Sequence, residues 1–69
     1  MTEIVKTTLE RAFSEDKKVT IIYQGSEGFT ERTIKINKIA DGKVFAYCML
    51  RKKRRVFNID NILSAQMEF

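Results

Sequence analysis

The chain has 69 residues, of which 43% are hydrophobic and 32% charged, with a formal net charge of +4. That length makes one small domain, and the composition is that of a globular chain and excludes disorder. A single cysteine, Cys48, and the absence of histidine exclude an internal disulfide and a Cys/His zinc site within one chain.

The spacing predicts a helix over residues 3–15. Val5, Leu9, Ala12 and Phe13 form one apolar face, which Ile4 widens. Thr2 is placed to cap its start, and Glu3 suits the positive end of its dipole. Ser14-Glu15-Asp16-Lys17-Lys18 has no apolar residue and ends the helix. From Val19 the period becomes that of strands, and Val19–Tyr23 is β-branched and aromatic. Gln24–Gly28 reads as a loop by its glycines.

Phe29 to Ala40 is long for one strand. Ile34 and Ile36 share a face that Ile39 misses, so a bulge near Asn37-Lys38 is expected. Asp41-Gly42 is the signature of a two-residue type I′ turn. Lys43–Leu50 follows, with Val44, Ala46, Cys48 and Leu50 on one face and Phe45, Tyr47 and Met49 on the other. Such two-sided apolarity predicts a central strand covered on both sides. A basic turn leads into Arg54–Ile59. Asp60-Asn61 breaks that strand, with the Asp60 side chain expected to cap the turn. Leu63, Ala65, Met67 and Phe69 alternate in a last strand. The whole reads as one domain over residues 1–69. It is mainly β, with an N-terminal helix and a small five-stranded antiparallel SH3-like or Sm-like barrel over residues 19–69. Cys48 is expected to be a small buried hydrophobe, with Phe45, Phe57 and Ile59 in the core.

No apolar run is long enough to cross a bilayer, and the N-terminus lacks a secretory pattern, so the cytoplasm is expected. Charge is unevenly placed. Residues 1–34 carry five Lys/Arg against six Asp/Glu, whereas residues 35–69 carry eight against three. Five of those eight form the run Arg51-Lys52-Lys53-Arg54-Arg55 between two strands. Cations held on a rigid sheet beside aromatic rings point to a polyanionic partner, a nucleic acid or nucleotide.

The blocks Leu9–Phe13, Lys18–Tyr23, Ala46–Arg51 and Arg55–Ile62 occur in an order and spacing that resemble the WYL domain, over about Leu9 to Met67. The family is common in bacterial transcriptional regulators. The resemblance is a divergent one. The naming tripeptide falls near Lys43-Val44-Phe45 without its tryptophan or tyrosine. Two family arginines stand here as Asn58 and Asn61, and the proline of the second strand as Ile36 or Asn37. There is no room for the N-terminal winged helix-turn-helix that commonly accompanies the domain, so the chain is not expected to act alone as a DNA-binding regulator. The resemblance implies a sensor or ligand-binding module with a basic groove, to which Arg51 and Arg55 correspond most directly.

Arginine suits phosphate because its planar fork donates two parallel hydrogen bonds. Alternation sets Arg55 with Phe57 and Arg54 with Val56, so the five cations do not all meet one ligand. The candidate site is Arg51, Arg55 and Lys53, with Tyr47 to stack on a base, Asn58 to read a base edge and Arg32 as a separate cation. Tyr23 is a weaker stacking candidate. No catalytic constellation, metal set or phosphate-cradling glycine motif is present, so neither an enzyme nor a cofactor is expected. The alternative is a protein-interaction or oligomerisation module that partners a transcriptional regulator or itself. Membrane-surface binding ranks last, because a turn on a barrel offers no amphipathic helix.

Overall fold

The computed structural model of the protein describes residues 2–68, except for the side chain of Thr2. The elements are α1 (Thr2–Ser14), β1 (Lys18–Gly25), β2 (Gly28–Ala40), β3 (Lys43–Cys48), β4 (Lys53–Asn58), a 3-10 turn over Ile59–Asn61, and β5 (Ile62–Met67). The expected Thr2 cap and the place of Phe69 in the last strand lie outside the described residues. All strand pairs are antiparallel, in the order β4-β3-β2-β1-β5. One helix and five curved strands thus make a small, mainly β, barrel-like domain. No helix is long and apolar enough to cross a membrane among the described residues.

The helix buries Val5, Leu9 and Ala12. Two residues expected on that face are not buried: Ile4 is 71% and Phe13 46% exposed. At about 100° per residue, Leu9 and Ala12 fall within about 40° of Val5, Phe13 about 80° away and Ile4 about 100° away. The buried stripe is narrower than the apolar one. At the helix end the Arg11 Nε donates to Glu15 Oε2 at 2.8 Å. That guanidinium, with Lys17 adding to it, holds the Glu15 carboxyl below its ordinary pKa.

Two turns follow from local chemistry. Asp41 and Gly42 both have positive φ (54° and 71°), the type I′ geometry expected of Asp-Gly. Gly25 pairs with Gly28 across Ser26-Glu27, and Gly28 sits at φ 101°. The expected bulge is present: the β2–β3 register shifts between Ile36 and Lys38, and Ile39 pairs with Val44. Asn37 is the extra residue, which returns Ile39 to the core side.

A second register shift lies between Ile22 and Tyr23 opposite β5, where Ile22 pairs with Ser64 and Tyr23 with Ile62. Leu63 is the extra residue there. Ile62 is buried and Leu63 exposed, the reverse of the simple alternation read from the sequence.

Paired residues of antiparallel strands share a face. The inner face therefore holds Val19, Ile21, Ile34, Ile36, Val44, Ala46, Cys48, Phe57 and Ile62, all buried. α1 packs chiefly on β5 and β2 and closes one end of this concave side. Cys48 is a free, buried thiol within it. Two expectations for β3 change. The strand ends at Cys48, and Leu50 is 68% exposed in the turn rather than in the core. Its outer residues Phe45 and Tyr47 are only half-buried, so the strand is covered on one side. At the far end of the sheet Ile59 leaves β4 for the 3-10 turn, and its N–H bonds Gly42 O at 2.9 Å. Asp60 is exposed and makes no capping hydrogen bond among the described residues.

Candidate functional site

The open end of the concave side is where the cations gather. On β2, Thr30 and Arg32 continue the face of Ile34 and Ile36. On β4, Arg55 pairs with Ala46 and Phe57 with Val44, so both lie on the inner side. The inner face thus runs from a closed apolar floor to a polar, cationic mouth.

The β3–β4 turn brings Arg51 to the same place. Met49 N–H still bonds Thr33 O at 3.0 Å, and then the chain reverses. Lys52 adopts φ 55° and its N–H closes on Cys48 O at 2.8 Å. This tight loop fixes the position of Arg51 relative to Arg55 four residues later.

Arg32, Arg51 and Arg55, with Tyr23, Phe57 and the Gly25–Gly28 hairpin, line a recess of about 170 Å³. The Tyr23 and Phe57 rings meet edge to face, with centroids 4.9 Å apart and planes at 76°. They form a rigid apolar wall beside three guanidinium groups. Among the described residues, Arg51 and Arg55 have no ion pair and no side-chain hydrogen bond, and Arg32 only donates from Nη1 to its neighbour's Glu31 O at 3.2 Å. Glu27 is the one carboxylate lining the recess among the described residues. Like charges held together without partners favour an anion there.

Of the six candidate residues, the fold brings Arg32, Arg51 and Arg55 to one recess. Lys53 pairs with Cys48 at the exposed start of β4 and does not line it. Tyr47 pairs with Lys35 and Arg54, and Asn58 with Lys43, so both lie on the outer face. Arg32 was expected to be a separate, exposed strand residue, and here it is half-buried beside the other two. Its signal was in the sequence: Thr30, Arg32, Ile34 and Ile36 share one parity. Phe57, expected in the core, and Tyr23, the weaker stacking candidate, together form the wall of the recess. No group of three or more His, Cys, Asp or Glu residues that would hold a metal occurs among the described residues.

No family model matches the chain, and no curated protein matches it. Among solved structures it is similar to the proteasome accessory factor B/C (PafBC) of Arthrobacter aurescens, with a TM-score of 0.84 and 19% identity. The match covers 97% of this chain and 11% of PafBC, so the chain spans a small part of that protein's length. The likeness is one of fold, and it supports the WYL-like fold implied by the sequence blocks.

Proposed function

We propose that this chain is a non-catalytic regulatory module of WYL type that binds a single-stranded nucleic acid or a nucleotide through its concave, arginine-lined recess. The observation that carries this reading is the convergence of Arg32, Arg51 and Arg55 from separate segments, with none in an ion pair with a carboxylate among the described residues. Three forked donors beside an aromatic wall match a phosphate with its sugar or base alongside. The recess is smaller than the roughly 300–1,000 Å³ of typical small-molecule sites. It therefore suits one phosphate-bearing unit of a longer chain, with the surrounding basic turn adding field strength. The fold likeness to PafBC agrees with a module working within, or beside, a larger regulator. A cytoplasmic setting fits such a role.

The test is a titration of labelled oligonucleotide at several salt concentrations. With about three to five phosphates neutralised, log K falls against log[salt] with a slope of roughly −2 to −4. Arg51→Ala with Arg55→Ala abolishes most of the binding, and Lys6→Ala with Lys17→Ala does not. Salt-independent binding, or equal effects of the two pairs, rejects the site.

A second reading is self-association or docking on a regulator. The edges of β4 and β5 are not joined by a ladder among the described residues, and Leu50 and Val56 are exposed near the β4 edge. Light scattering that finds a stable oligomer indifferent to oligonucleotide favours this reading over the first.

A further inference from the structure

The outer face of β2–β3–β4 carries a second constellation, on the opposite side of the sheet from the recess. Two cross-strand rows define it. Lys38, Phe45 and Val56 form one, and Lys35, Tyr47 and Arg54 the other. Lys43 and Asn58 continue the face toward the Asp41-Gly42 turn. The rings are half-buried and flanked by exposed residues, and Val56 is 52% exposed. The Lys38 ammonium lies over the Phe45 ring, 5.8 Å from its centre, so a base stacked on that ring takes the place of the ammonium. Lys35 contacts the Asp16 carboxylate at 3.4 Å. No ion pair involves Lys38, Lys43 or Arg54 among the described residues.

We infer that this outer face is a stacking platform for the bases of a single-stranded nucleic acid, with Phe45 and Tyr47 as the ring faces and Lys35, Lys38 and Arg54 as backbone contacts. The inference shares with the previous section the class of ligand, and adds a site of its own. Two rings at alternate positions of one strand stand about 6.6 Å apart along it. That is about twice the 3.4 Å repeat of stacked bases, so an extended strand sets one base on each ring. Cations on both flanks of the ring column, from β2 and β4, give the backbone a track on either side. An acidic protein would also be drawn to these charges. It would gain little from two ring faces held side by side at this spacing, which suits a repeating flat ligand. β4 is the sheet edge, with Arg54 on the outer face and Arg55 on the inner. A strand passing over that edge reaches both the platform and the recess.

The experiment compares an oligothymidylate of about twelve nucleotides with an abasic strand of the same length. The intact protein should bind the base-bearing strand about tenfold more tightly or better. Tyr47→Ala should remove most of that preference while the protein still melts cooperatively. Tyr47→Phe should retain it. In Tyr23→Phe, Tyr47 is the sole tyrosine of a chain without tryptophan, so its emission should be quenched as oligothymidylate is added. Equal affinity for the two strands, unquenched Tyr47 emission at saturation, or a glutamate-rich peptide binding as tightly as oligothymidylate would each overturn the platform. Arg51→Ala with Arg55→Ala separates the two sites. If it weakens both strands alike and leaves the base preference, the recess and the platform both stand. If it changes nothing, the recess reading fails while the preference set by Tyr47 still decides the platform. No binding of either strand removes both.

Discussion

Arg32 and Arg54 show how one residue's parity decides its partner. Arg32 continues the line of Ile34 and Ile36 into the recess, and Arg54 points with Tyr47 to the other side of the same sheet. Geometry matters as well as charge. Replacing Arg51 and Arg55 by lysine keeps the net charge and loses the planar fork. The expected outcome is weaker oligonucleotide binding with a nearly unchanged salt slope, read from the same titration. Removing either charge should leave the fold intact or slightly more stable, because it relieves repulsion in the recess. Thermal unfolding of Arg55→Ala checks this. Gly42 is a residue whose backbone, not its side chain, is constrained. Its φ of 71° belongs to the left-handed region, and a Cβ there would meet no neighbour. Gly42→Ala should therefore lose about 1–2 kcal/mol from backbone strain alone, seen as a melting temperature lower by several degrees.

At the scale of elements, the helix is the plainest case of a narrow buried stripe. Leu9 is fully buried, so Leu9→Ala should destabilise by about 2–5 kcal/mol in denaturant unfolding. Phe13→Gln, at a half-exposed position, should stay far nearer to neutral. The Arg11–Glu15 pair closes the helix end. Glu15 has a folded pKa below its ordinary value, so its contribution is present at neutral pH and is lost as pH falls through the folded value. Because the pair is exposed, Glu15→Gln should show only a slight loss of stability at neutral pH that vanishes in acid. Periodicity made the helix and all five strands legible to within about two residues. It also foretold the Asn37 bulge, because Ile39 breaks the alternation of Ile34 and Ile36. The Leu63 bulge left no such trace. Leu63, Ala65 and Met67 alternate cleanly by themselves, and only pairing with Ile22 and Tyr23 shifts Ile62 inward. The β3–β4 turn was misplaced for a related reason. Leu50 fits the apolar alternation of Val44, Ala46 and Cys48, whereas the hydrogen bond from Lys52 N–H to Cys48 O ends the strand before it.

Over the whole molecule, the sheet divides a basic half-chain between two faces. Concave and outer cations act on the same long-range field, and that field should govern encounter with any polyanion. Neutralising Arg32, Arg51 and Arg55 together should flatten the salt slope by about two to three, measured against the intact protein. The amino-acid sequence by itself determined the element order, most of the apolar core, the type I′ turn and the basic character of the C-terminal half. Each of these depends on neighbours in the chain or on composition. Which arginines share a recess, and which aromatic rings lie on the outer face, was decided only by tertiary structure. Strand pairing and two bulges set which side of the sheet each residue takes. The closure of one end by α1 leaves the other end to Arg32, Arg51 and Arg55.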